Sequence, residues 1–230
     1  MFVTALSQEI TTVTRLKLTM LTSELEFSGS VVTDEVYSLQ YVDTLDVMGE
    51  YYLVANALSD LRNMLCVGEW SNLAFYPKEF SYTVADFWIT DKIYYLATTH
   101  DKTVLISQDG GVVELCGLSK QAAISGQGDY LYVSADEQLF CLSGQTLLFC
   151  AQYGKTELLP YGDALYTVSA LNSRVCVRAF RNGSKTYENS FSYSISSPRL
   201  YICQAGMYVV GYTLDDYGQT DVTLIKISSH

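Results

Sequence analysis

The chain has 230 residues, of which 49% are hydrophobic and 17% charged, with 14 Lys plus Arg against 25 Asp plus Glu and a formal net charge of −11. So apolar a composition excludes disordered, fibrous and coiled-coil classes, and this length buries roughly 70 to 75% of the unfolded surface in one large domain or two small ones. The acidic balance repels phosphate backbones and anionic lipid headgroups, so neither nucleic acid nor a membrane is expected as a partner.

Taken from the N-terminus, Met1 to Glu9 lacks a basic segment followed by a long apolar run and does not read as a secretory signal. Thr12 to Met20 alternates apolar and polar residues with period two, the pattern of a half-buried strand. Ser23 to Val32 reads as a further outer strand or as part of an additional degenerate unit. Helical spacing is hardly found outside Ala57 to Leu65. The rest is dominated by β-branched and aromatic runs such as Tyr51 to Val54, Ile93 to Leu96 and Tyr130 to Val133, which favour pleated surfaces. Short turns separate them, and Asn182-Gly183 supplies the positive φ angles of a tight type I′ hairpin. No apolar run approaches the ~20 residues that a bilayer-spanning helix needs, and the expected location is intracellular, cytoplasmic or nuclear.

An internal repeat organises these strands. With the chain aligned on Gly49, Asp91, Gly128, Gly162 and Ala205, the third to fifth residues after each are apolar or aromatic in all cases but one. The sixth is Ala55, Ala97, Ser134, Val168 or Gly211, small in four of five copies, as a crowded position between neighbouring sheets requires. The spacing of 34 to 43 residues suits four short strands with their turns. In the clearest copy the strands are Gln121 to Ser125, Tyr130 to Ser134, Gln138 to Leu142 and Thr146 to Gln152, one antiparallel meander. Meanders of this kind cannot bury both faces alone, and face-to-face packing about an axis solves the problem.

The segments Gly128-Asp129-Tyr130-Leu131-Tyr132-Val133 with Gln138 to Leu142, and Gly162 to Thr167 with Arg174 to Val177, resemble β-propeller blades of the quinoprotein-like and tryptophan-aspartate-repeat families. The resemblance covers about residues 36 to 227 and implies architecture alone. Neither a Trp-Asp dipeptide, nor a Gly-His pair, nor a tryptophan docking motif is present, and no cofactor is carried over. The expected fold is all-β: a single β-propeller domain over 1–230 with five four-stranded antiparallel blades at roughly 36–80, 81–117, 118–153, 154–192 and 193–230. Residues 1–35 hold an extra segment and an N-terminal strand that completes the last blade and closes the ring. An orthogonal sandwich or irregular barrel is the competing architecture.

Catalytic and metal chemistry find little support. His100 lies in the polar turn Thr98-Thr99-His100-Asp101-Lys102, and His230 is the last residue, so neither a Ser-His-Asp nor a Cys-His arrangement is assembled. The six cysteines, Cys66, Cys116, Cys141, Cys150, Cys176 and Cys203, contain no Cys-x-x-Cys pair and sit in apolar runs, where a thiol acts as a small core hydrophobe. Asp129 and Asp163 follow glycine at turns and are expected to bond their own backbone. Asp43 and Asp86 fall inside apolar runs and are the candidate channel carboxylates of a glycoside-hydrolase-like or other hydrolase. The Asp215 to Asp221 loop lacks the alternating oxygens and closing glutamate of a calcium site, and Gly126-Gln127-Gly128 lacks the third glycine and helix of a dinucleotide site. Asn182-Gly183-Ser184 satisfies a glycosylation sequon but reads as a hairpin turn.

Aromatic clusters are the remaining resource. Trp70, Phe75 and Tyr76, and Phe87 with Trp88, are candidate anchor residues for a protein partner, with packing between blades as the alternative role. The expected function is a non-catalytic protein-protein interaction scaffold, one subunit of a larger intracellular assembly, without metal or cofactor. A channel hydrolase and a structural component of a virus particle are the alternatives.

Overall fold

The computed structural model describes residues 2–8, 14–21, 27–32, 38–47, 50–59, 62–69, 74–171, 173–214 and 219–227; before residue 79, side chains are described only at Tyr52, Val54, Asn56, Leu65 and Val67. Every element among these residues is a strand, and all pairings are antiparallel. The stretch Ala57 to Leu65, read from its spacing as the one helical window, instead contributes Ala57 to Ser59 to the end of one strand and Arg62 to Leu65 to the start of the next.

Six sheets follow in chain order. The strands β1 (Phe2–Gln8), β2 (Thr14–Leu21) and β3 (Phe27–Val32) make a three-stranded sheet. The second comprises β4 (Ser38–Val47), β5 (Glu50–Ser59), β6 (Arg62–Glu69) and β7 (Ala74–Glu79), and the third β8 (Thr83–Ile89), β9 (Ile93–Thr98), β10 (Lys102–Ser107) and β11 (Val112–Gly117). The fourth holds β12 (Ala123–Gln127), β13 (Tyr130–Ala135), β14 (Gln138–Ser143) and β15 (Thr146–Gln152). The fifth holds β16 (Thr156–Tyr161), β17 (Ala164–Leu171), β18 (Arg174–Arg181) and β19 (Ser184–Ser192), and the sixth β20 (Ser196–Cys203), β21 (Gly206–Leu214) and β22 (Thr220–Ile227). The four-stranded meander expected from the repeat is therefore present four times.

The N-terminal closure is corrected. The alternating segment forms β2, whose two edges are taken by β1 and β3, with Leu18 opposite Thr4 on one side and Val31 on the other. The sheet β20–β22 has three strands among the described residues. Local hairpins satisfy β2 without the long loop closure that pairing with the far end of the chain demands.

The chain divides into two compact units, Met1–Phe87 and Trp88–His230. Within the first, Asn56 on β5 brackets the backbone of Val84: its Nδ2 donates to the Val84 carbonyl at 2.7 Å, and the Val84 N–H donates to its Oδ1 at 2.9 Å. An amide placed beside the buried Val54, Leu65 and Val67 is thereby satisfied at both ends.

Within the second unit, sheets stack in chain order, each through one apolar layer. Tyr94, Leu96 and Leu105 of the third sheet meet Ile124, Leu131, Val133, Phe140 and Leu142 of the fourth. Tyr132, Leu139 and Cys141 of the fourth meet Leu165 and Phe180 of the fifth. Val168, Val175 and Val177 of the fifth meet Leu200, Val209 and Ile227 of the sixth, with Ile195. Middle strands are nearly continuously buried (β9, β10, β13, β14), whereas the last strands β11, β15 and β19 alternate between half-buried and exposed, since only one face is covered. The described residues at the repeat's sixth position, small Ala97, Ser134 and Gly211 and the larger Val168, are all buried, and a Cβ on Gly211 would fall 1.9 Å from Ile195 Cγ2.

Polar contacts tie consecutive sheets. Gln145 Nε2 donates to Ser107 Oγ at 2.6 Å, Gln127 Nε2 to the Gly162 carbonyl at 2.9 Å, and the Leu200 N–H to Glu157 Oε2 at 3.1 Å. Asn182 and Gly183 take φ of 50° and 72°, the tight turn their sequence predicts. Gly183 is also a close approach, because a Cβ there would stand 2.8 Å from Tyr130 of the preceding sheet.

Candidate recognition site

The aromatic pair at β8 separates. Phe87 is 2% exposed and belongs to the core, so it does not serve as an exposed partner anchor; strand alternation sends its neighbour Trp88 to the opposite face. Trp88 is partly buried against the layer between the third and fourth sheets, and its indole lies where a Cβ on Gly126 would stand, 2.1 Å from Nε1. Both therefore take the packing role. Trp70, the side chains of Phe75 and Tyr76, and the carboxylate of Asp43 lie outside the described residues.

Asp86 is half-buried, and its Oδ1 accepts the Phe87 N–H at 2.8 Å, the local backbone bond that aspartate favours. Asp163 pairs with Arg181 across 3.2 Å, both at the surface. His100 is exposed in its turn, with Nδ1 3.5 Å from Asp101 Oδ1. Lys92 and Ser107 both donate to Asp109, and these bonds hold its carboxyl down at about 2. Among the described residues, no group of three His, Cys, Asp or Glu side chains is placed to hold a metal ion.

The five described cysteines are free thiols. Cys141 is buried, and burial pushes its thiol up to about 11, as for a core hydrophobe. Cys116 and Cys176 are half-buried, but Cys150 and Cys203 are exposed, contrary to the uniform core role expected of them; both lie at positions where only one face of the strand is covered.

Two surface features remain, both in the sixth sheet. The first is its face turned away from the Val209–Ile227 layer. Register places Val222 opposite Tyr212 and Leu224 opposite Val210, with Tyr201 opposite Tyr208 on the same face. Val222 is 70% exposed, Leu224 62%, Tyr201 52% and Tyr212 50%. The second is a pocket of about 470 Å³ where the layer between the fifth and sixth sheets opens at the hairpin ends.

That pocket has a structural counterpart one sheet earlier. Each of the three second strands begins after a two-residue turn, so Tyr130, Ala164 and Gly206 correspond, as do Leu131, Leu165 and Met207. Cross-strand pairing extends the match: Cys141 and Phe149 beside Tyr132 correspond to Ala179 and Tyr187 beside Tyr166. Facing them, Phe180 beside Leu165 corresponds to Ile227 beside Met207. Between the fourth and fifth sheets the Phe180 ring fills the space, with its centroid 5.6 Å from that of Tyr132 and 5.8 Å from that of Phe149. Between the fifth and sixth the ring is replaced by the shorter Ile227, and Cys141 by Ala179, which leaves the hollow.

Its floor is apolar, from Ala179, Ile202, Met207 and Ile227. The hydroxyls of Tyr161, Tyr166 and Tyr187 have no hydrogen-bond partner among the described residues and remain open to solvent or ligand. The rim is cationic at Arg181, which lines it. The sequence contained the signal for this pocket, the Phe-to-Ile difference in aligned third strands, but alignment of the second strands alone does not reveal it.

No protein-family model matches the chain, and no curated protein matches it. Among solved structures, the chain is similar to the β-propeller domain of the Trilobed protease from Pyrococcus furiosus, described as having an open velcro topology: 8% identity, TM-score 0.51, covering 83% of this chain and 69% of that one. It is also similar to apo AztD from Citrobacter koseri, at 10% identity and TM-score 0.48, with 83% of this chain covered and 60% of the length of AztD spanned. The fold is a β-propeller, with four four-stranded antiparallel sheets among the described residues.

Proposed function

We propose that this β-propeller is a non-catalytic platform for protein-protein interaction, a subunit of a larger intracellular assembly, working without cofactor. The observation that supports this reading is the contiguous face of Val222, Leu224, Tyr212 and Tyr201, apolar and aromatic side chains left half or more exposed on one side of a sheet. Contiguous apolar surface of this kind marks interaction sites more often than solvent-facing structure, and aromatic residues dominate binding hot spots. The net charge of −11 favours protein partners over nucleic acid or anionic lipid. No helix among the described residues is long and apolar enough to cross a membrane. Co-purification from the native source, quantified by mass spectrometry for the parent chain and for a Val222→Asp/Leu224→Asp variant, tests the reading. A stoichiometric partner lost from the folded variant is expected; a chain that purifies alone, or that hydrolyses a substrate in isolation, contradicts it.

A further inference from the structure

The pocket between the fifth and sixth sheets carries an inference that rests on the platform reading and deepens it. We infer that it is a socket for one aromatic side chain of a partner polypeptide, with a carboxylate adjacent to that side chain in the partner meeting the cationic rim.

The first argument is what fills the equivalent place. At the preceding junction the site framed by Tyr132, Cys141 and Phe149 is occupied by a phenyl ring, that of Phe180. The frame is repeated by Tyr166, Ala179 and Tyr187, and the ring is missing because Ile227 stands where Phe180 would. A space that one junction of the fold fills with a phenyl group, and that stands open as a pocket at the next, accepts a phenyl group from outside. The volume of about 470 Å³ lies within the range of ordinary ligand sites, and the opening at the hairpin ends admits a side chain while its backbone stays outside. Aromatic rings also find edge and face partners here in Tyr166 and Tyr187, as Phe180 does in Tyr132 and Phe149.

The second argument is charge. In a chain of net charge −11, the rim of this pocket presents Arg181. The one ion pair of Arg181 among the described residues, to Asp163, is at the surface, where such pairs contribute little and exchange readily. Arg181 can therefore turn to a carboxylate on the ligand and bind it through two parallel N–H donors.

Three blocked tetrapeptides test this on the whole chain by amide chemical-shift titration: acetyl-Gly-Phe-Asp-Gly-amide, the same with Leu for Phe, and the same with Lys for Asp. The first is expected to bind with a Kd of about 1 mM and to shift resonances at Tyr166, Gly206 and Ile227. The Leu and Lys peptides are each expected to bind at least about fivefold more weakly. Ile227→Phe, which restores the internal ring, is expected to abolish the shifts, and Ala179→Leu fills the same space from the opposite wall if the first variant does not fold. Arg181→Gln is expected to weaken the Asp peptide and leave the Lys peptide unchanged. Absence of shifts at about 10 mM, a Leu peptide that binds as well as the Phe peptide, or undiminished binding by both filled variants overturns the socket. Failure of the peptides beside an intact co-purifying partner would remove the socket alone; peptide binding by a chain that has no partner would remove the platform and leave the socket.

Discussion

The junction between the fourth and fifth sheets and the junction between the fifth and sixth share the two-residue turn that opens each second strand, the register beside it and the tyrosine that starts each frame, yet one is closed and the other open. Closure at the first follows from Phe180, whose ring contacts Tyr132 and Phe149 while Arg178 lies 3.9 Å from the centroid of Tyr153 on the same side of the sheet. Arg178 is buried; its Nη1 donates to Ser169 Oγ at 2.9 Å, and its Nε stands 3.3 Å from Glu188 Oε1, near enough for charge pairing though not aligned as a hydrogen bond. The second junction has an aliphatic side chain in place of the ring, and Glu157 ties its two sheets through a single bond to the Leu200 backbone. The difference teaches that in a stack of repeated sheets the backbone sets where a site can be, and one residue's volume in the third strand decides whether it is a core or a pocket.

The sharpest way to break this comparison is to open the closed junction. Phe180→Ala is expected to destabilise the chain by about 4 kcal/mol, the cost of a deleted ring in a well-packed layer, whereas Ile227→Ala at the already open junction should cost about 2 kcal/mol or less. Urea unfolding of both variants measures the difference, and equal costs would mean that the two junctions are packed alike.

A smaller effect is expected at the turn that clamps the closed junction. Gly183 combines a φ of 72° with the approach of Tyr130, so Gly183→Ala should cost about 1 to 2 kcal/mol by the same measurement. No loss on substitution would show that the Asn182-Gly183 hairpin is free to relax away from the fourth sheet.

The smallest effect belongs to Glu157, half-buried at the open junction. Burial raises its carboxyl above the usual range, more than the Leu200 N–H and Arg199 lower it. A folded-state value above the unfolded one means that the native state is penalised when the group ionises, so this contribution is absent at low pH and destabilises as pH rises through the raised value. Glu157→Gln keeps an acceptor for the Leu200 N–H, and should raise the midpoint of thermal unfolding by about 1 to 3 °C near pH 7 while leaving it unchanged near pH 3. An equal shift at both pH values would assign the effect to something other than ionisation.

The repeated sheets were legible because the aligned second strands carry three apolar or aromatic residues followed by a small one, with Thr167 and Val168 as the exceptions, and because turns such as Asn182-Gly183 impose their own geometry. The N-terminal sheet was not, since residues 21 to 35 carry no copy of that pattern and a strand's period does not say which partner it takes. The pairing of Phe87 with Trp88 as one patch failed for a simpler reason: adjacent residues of a strand point to opposite faces, and Gly126, which makes room for the Trp88 indole, is remote in sequence. The pocket is a deficit of side-chain volume between two sheets, and a deficit becomes readable only when residues that face one another across the junction are compared.

The most direct test of that account is a reciprocal exchange, Ile227→Phe and Phe180→Ile, each measured by urea unfolding. Filling the open junction is expected to raise stability by about 1 kcal/mol, and emptying the closed one to lower it by about 1 to 2 kcal/mol. An Ile227→Phe chain that is less stable than its parent would mean that the space between the fifth and sixth sheets is not the vacated site of a ring, and would contradict the account.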